Sequence, residues 1–175
     1  MKPIINIAEA ETRENGNGEF FHARHGFLSR PLGGQKIGAS VTFVEAGKAA
    51  FPFHHHYGSE EHFFIVSGTG TLRHGSESYP VKPGDYIVHT PGGPETANQL
   101  INTGHERLVY LAIGAMVAPE VVGYPDSGKT GVMTASFLQP GLRFIVNDET
   151  RHQAEYWDKE DGAAVRAAVE EGRGA

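Results

Sequence analysis

Residues 51–70 read FPFHHHYGSEEHFFIVSGTG and hold the densest set of groups in the chain able to bind a cation. His54 and His56 are two positions apart, so on a strand both imidazoles leave the same face. Glu61 follows five residues after His56, past the short turn Tyr57-Gly58-Ser59, where its carboxylate can swing toward the same interior point. Two imidazoles and one carboxylate on one side of a metal leave positions open for substrate or oxygen. That is the facial donor set of Fe(II), Mn(II) or Ni(II), and Zn(II) uses it as well. A triple histidine alone also fits a solvated loop. The spacing to Glu61, and from Glu61 to Gly68 seven residues on, favours the metal.

The neighbouring groups sort by strand parity. His55 and His62 fall on the opposite parity from the proposed ligands and are expected to support them or to face solvent. Glu60 is likewise the acid facing away. His22, His25, His74, His105 and His152 are scattered and read as ordinary surface or hydrogen-bonding residues.

A site of this kind needs short strands to carry it. The 23 Gly and 10 Pro fall between short apolar runs, which is the punctuation of tight turns. Strands are expected over 20–28, 37–45, 51–56, 62–66, 70–74, 78–81, 86–90, 98–102 and 107–113. Residues 70–74 pair naturally with 78–81 across HGSE. In Lys82-Pro83-Gly84-Asp85, Pro presets φ and Gly accepts the positive φ of a type II turn. Many short strands at this spacing predict an all-β sandwich or barrel rather than a βαβ fold. The run HFFIV is bulky on both faces, as expected of a strand covered on both sides.

Beyond about residue 115 the pattern weakens, and PEVVGYPDSGKTGVM and GLRFIVNDET are expected to wrap the barrel as extended segments. Residues 161–171 have helical spacing and an acidic start, which predicts a short C-terminal helix. The expected organisation is an arm over 1–18, a barrel over 19–150 and a helix-bearing tail over 151–175.

Composition narrows the partners. A chain of 175 residues, 39% hydrophobic and 21% charged, suits one domain with its own core. The absence of cysteine excludes disulfides and thiolate ligands and is compatible with a reducing cytosol. The N-terminus lacks the apolar core of a signal peptide, and no apolar run approaches the roughly 18 residues of a membrane span. A net charge of −6 argues against nucleic acid or an anionic membrane as partner. A cytoplasmic protein that binds a small molecule is expected. Residues 123–130 (GYPDSGKT) satisfy the phosphate-loop pattern in letters only. Gly131 follows at once instead of a helical stripe, and Asp126 would put a carboxylate inside an anion cradle.

With these residues in view, the chain resembles the cupin superfamily. His54, His56, Glu61 and Gly68 match its first motif: His-any-His, three or four residues, Glu, six residues, Gly. Pro83-Gly84-Asp85, the strand to Thr90, PGGP and Asn102 match the second, and the likeness covers roughly residues 37–115. The resemblance implies a double-stranded β-helix, or jelly-roll barrel, holding one divalent metal ion. It also implies a homodimer through strand exchange or sheet packing.

One position departs from the pattern. Asn98 stands where the second motif places its histidine, normally the fourth ligand. Three readings stay open: Asn98 ligates or bonds a bound water, His89 fills the gap, or the metal is lost and a binding cavity remains. The superfamily hosts dioxygenases and sugar-phosphate isomerases beside storage and sensor proteins, so enzyme and non-catalytic binding module both stand. The isomerase branch needs a basic phosphate anchor, and Arg73 is the evident cation on a barrel strand.

Overall fold

A computed structural model describes residues 3–134 and 141–149. The helix expected over 161–171 lies outside the described residues. Among the described residues, thirteen strands follow in chain order. They are β1 (Arg13–Asn17), β2 (Phe21–Phe27), β3 (Ile37–Val44), β4 (His55–His56), β5 (Glu61–Ser67), β6 (Gly70–His74) and β7 (Glu77–Val81). After these come β8 (Tyr86–His89), β9 (Asn98–Ile101), β10 (Leu108–Ala115), β11 (Glu120–Tyr124), β12 (Lys129–Met133) and β13 (Arg143–Asn147).

The strands form two facing walls, the double-stranded β-helix. One wall is ordered β1-β2-β3-β10-β5-β8. The other joins β7-β6-β9 to β4-β11-β12-β13 through an antiparallel bridge between His54 and Asn98. Strands that alternate apolar and polar residues bury one face each, and those faces meet between the walls. The core contains Val44, Phe63, Ile65, Leu72, Leu100, Leu108 and Tyr110.

Most strand ends fall within a residue or two of the sequence expectation, and three features differ. Arg13–Asn17, expected in an arm, pairs with β2 as an edge strand, because ladder bonds need no apolar side chains. The expected strand over 51–56 shrinks to His55–His56, since Pro52 has no N–H to donate. β5 is covered on one face only, with Phe63 and Ile65 buried and Phe64 exposed. The Lys82–Asp85 turn forms as its residues dictate, with Gly84 at φ +91° and the Asp85 side chain accepting from the Lys82 N–H at 2.8 Å.

Candidate metal centre

His54 is placed by two backbone bonds across the bridge to β9. Its N–H donates to the Asn98 carbonyl at 3.1 Å, and the Asn98 N–H returns to the His54 carbonyl at 2.7 Å. Residues opposed in an antiparallel ladder project to the same side. Asn98 therefore stands beside His54, and His74, opposite Asn98 in the β6–β9 register, shares that face. From the other wall β5 supplies Glu61, and β8 sets His89 directly opposite it. One ligand atom from each of His54, His56 and Glu61 lies within 4.8 Å of the other two. The proposed donors do converge.

A hydrogen bond prepares His54, and a buried carboxylate stands beside His56. The His54 Nδ1 lies 2.9 Å from the Pro52 carbonyl. An Nδ1–H donated there leaves the Nε2 lone pair free, as a ligand requires. The His56 Nδ1 lies 3.8 Å from Oε2 of Glu120, a residue only 4% exposed. Glu120 accepts from the Gly58 N–H at 3.0 Å, the Val121 N–H at 3.1 Å and the Ser59 hydroxyl. A buried carboxylate so held gives His56 a fixed negative neighbour.

The electrostatics follow from burial and these partners. Burial, and then the adjacent His56, bring His54 down to about 4, so it is neutral near pH 7. Burial acts the same way on His56, but the Glu120 and Glu61 carboxylates outweigh it and raise its pKa. Burial raises the Glu61 carboxyl against the pull of His56 and His62. His89, 3% exposed, is taken down to about 3 by burial and then by His74, His54 and His56. Burial opposes ionisation of Glu120, yet its partners His56, Ser59 and Gly58 hold it at about 2.

Glu120 was not legible in the sequence. It lies 59 residues beyond Glu61 and reaches His56 only because β11 pairs with β4. Glu120→Gln keeps the shape and removes the charge. It is expected to weaken divalent-metal binding roughly tenfold to a hundredfold, measured by calorimetry. It should also change acid stability. The folded carboxyl titrates at about 2 against an ordinary 4.5, so the unfolded chain takes up a proton that the folded chain refuses. Glu120 therefore adds stability above about 4.5 that is lost as pH falls toward 2. Denaturant midpoints at about pH 3 and about pH 7 should differ less in the variant.

The remaining sequence-designated residues sort as follows. His55 faces away, its Nδ1 2.8 Å from the Gly92 carbonyl and its ring edge-on to Tyr57. Glu60 and His62 pair outside the barrel at 2.8 Å, and the Tyr86 hydroxyl meets His62 Nδ1 at 2.7 Å. His74 is not an ordinary surface histidine. Its parity matches buried Leu72, and its ring lies 5.5 Å from that of His89. Asn102 is fully buried and structural, donating to the Val44 and Glu106 carbonyls and accepting from the Gly104 N–H.

Arg73 has the opposite parity to Leu72 and His74. It forks onto both Asp126 oxygens at 2.8 and 3.1 Å, bonds Gln99, and lies over the Phe53 ring. It offers no phosphate anchor to the interior. The letters GYPDSGKT form a short 3-10 turn, Pro125–Ser127, that runs into β12, so no helix begins at Lys129 to cradle a phosphate.

The Cupin domain family model matches residues 40–114. A sugar phosphate isomerase from a cupin superfamily, from Silicibacter pomeroyi, has a TM-score of 0.72 at 16% identity, covering 87% of this chain and 97% of that one. A provisionally assigned sugar phosphate isomerase of Acidithiobacillus ferrooxidans has a TM-score of 0.64 at 27% identity, covering 75% and 81%. An oxalate decarboxylase of Thermotoga maritima, assigned by prediction, has a TM-score of 0.57 at 21% identity, covering 65% and 99%. No curated protein matches the chain. Among the described residues no helix is long and apolar enough to cross a membrane.

Proposed function

We propose that this chain, whose residues 40–114 match the Cupin domain family model, is a metal-dependent enzyme acting on a small polar organic molecule. His54, His56 and Glu61 hold one divalent ion in this reading. The observation that carries it is the location of the unpaired groups. Among the described residues, the buried side-chain N and O atoms without a hydrogen bond are His56 Nδ1, Glu61 Oε2, His74 Nδ1, both ring nitrogens of His89 and Asn98 Oδ1. All belong to the ligand cluster or to residues set against it by strand register. Each such atom left alone costs about 1–3 kcal/mol, and concentrating them in one place is what a cation and a polar ligand would offset. The donor set suits Fe, Mn, Ni or Zn.

When bound, such an ion supplies Lewis acidity toward substrate oxygens or a place for oxygen activation. The chain's own groups do the rest. The Pro52 carbonyl holds His54 with Nε2 free, and the buried Glu120 carboxylate sets a negative charge beside His56. His89 and Asn98 offer a buried imidazole and carboxamide beside the donors, placed to bond a substrate hydroxyl or carbonyl. The rings of Phe63 and Tyr110, 5.3 Å apart, line the same interior with apolar surface.

The sugar-phosphate isomerase branch draws on the Acidithiobacillus ferrooxidans relative, and the dioxygenase branch on the donor set alone. Asn98, a weaker donor than imidazole, favours a second reading: a non-catalytic or metal-free cupin. Elemental analysis of protein purified without added metal, and again after soaking, separates the two. Stoichiometric transition metal supports the enzyme; only traces in both samples would sink it. Asn98→His should tighten metal retention by no less than the roughly tenfold typical of changes around a metal site. Unchanged retention places Asn98 outside the centre.

The proposed macromolecular partner is a second copy, in the cytosol. Phe64, Tyr86 and Val88 are 37%, 61% and 45% exposed on the outward face of β5 and β8, where sheet packing would cover them. Light scattering at micromolar concentration should return twice the chain mass; a clean monomer would refute it.

A further inference from the structure

The sheet that carries His56 continues past it, and its register places a tyrosine and a lysine on the same face. His56 pairs with Val122, and Val122 with Gly131. One step along, Tyr124 pairs with Lys129. Extending the β4–β11 register by one residue sets His54 level with Tyr124. The rings meet there, with centroids 6.2 Å apart and planes 29° from parallel. The Lys129 ammonium stands 5.7 Å from the centre of the same tyrosine ring. His54, Tyr124 and Lys129 thus form one cross-strand row that leads outward from the metal cluster.

Lys129 has no carboxylate partner among the described residues. Asp126 is paired with Arg73, and Asp148 accepts from the Thr130 hydroxyl at 2.8 Å. Arg143, in the row of Met133 and Glu120 on the same face, also acts on Tyr124 through its charge. With no ion pair among the described residues, the Lys129 ammonium, one tyrosine away from His54, is placed to meet an anion whose other end reaches the interior. It lies no more than about 12 Å from the His54 ring centre, the two separations laid end to end.

We propose that Tyr124 and Lys129 form an anion-recognising mouth to the site, so that its substrate is a small organic molecule bearing a carboxylate or phosphate. Lys129 neutralises the anionic group, and the Tyr124 ring carries the body of the molecule. This rests on the metal-site reading above and adds the charge class of the substrate.

Calorimetry of the full-length, Zn(II)-loaded chain with malate, glycerol 3-phosphate and neutral glycerol tests it. Both anions, or one of them, should bind more tightly than glycerol, and the tighter of the two identifies the group. Lys129→Met should weaken that binding about tenfold or more, the worth of one charge-assisted hydrogen bond, while Lys129→Arg keeps most of it. Added salt should weaken anion binding to the original chain and have little effect on Lys129→Met. Metal content, measured separately, should be the same in all three proteins. Anion binding indifferent to Lys129→Met, or absent from the original chain, overturns the proposal while leaving the metal reading intact. Lys129-dependent anion binding in a chain that takes up no metal would do the reverse.

Discussion

The His56→Ala protein is expected to fold and to lose divalent-metal binding by more than about a hundredfold, beyond the range produced by changes outside the ligand set. One potential ligand atom from each of His54, His56 and Glu61 lies within 4.8 Å of the other two, so in the proposed centre each would supply one bond to a shared ion and two would not replace three. The fold should hold because Glu120 keeps its bonds from Gly58, Val121 and Ser59 when the imidazole is gone. His54 also loses a cationic neighbour that depresses its pKa. Metal analysis after dialysis, with circular dichroism to check folding, reads both outcomes. His55→Ala is the control. His55 is more deeply buried at 3% exposure but faces away from the cluster, toward the Gly92 carbonyl. Its loss should cost stability and leave metal content unchanged. A folded His56→Ala protein with full metal occupancy would remove the centre as described.

Gly68→Ala should cost at least about 3 kcal/mol, lowering the melting temperature by roughly 6–12 °C for a chain of this size. Two penalties combine. Gly68 holds φ at +76°, which an L side chain adopts only with strain. A methyl there would also sit 2.3 Å from the Arg107 carbonyl oxygen and 2.8 Å from the Leu108 Cα. Both atoms are backbone beside β10, whose Leu108 is a core residue, so relief would require moving the strand. Gly84→Ala separates the terms. Its φ of +91° carries the same kind of strain, but nothing lies within 4 Å of the added methyl. About 1–2 kcal/mol is expected there. Equal losses at both sites would show that steric approach adds nothing at Gly68.

The motif glycine thus has a physical account: it is where β10 passes too close for any side chain. Its position was legible because Gly68 follows Glu61 at a fixed spacing along one strand and turn. The parity of His54, His55 and His56 was legible for the same reason. His74 was read as an ordinary surface residue although it lies two positions from core Leu72 and so shares its face, and its pairing with His89 gave no local sign. The bulk of HFFIV was misleading, because Phe64 points outward where this chain leaves the face open.

Arg73 marks the limit most clearly. As a lone cation on a barrel strand it invites a phosphate, but Asp126, 53 residues away, takes both faces of its fork. Glu120 behind His56, Asn98 beside His54, His89 opposite Glu61 and Lys129 against Tyr124 are likewise set by which strands lie side by side and in what register. From its letters alone this chain determined short strands, their turns and two imidazoles on one face, because the two-residue period and glycine's backbone freedom are local properties. Only the tertiary structure decided which distant groups complete the site, because register between strands far apart in sequence follows from how both walls bury their apolar faces together.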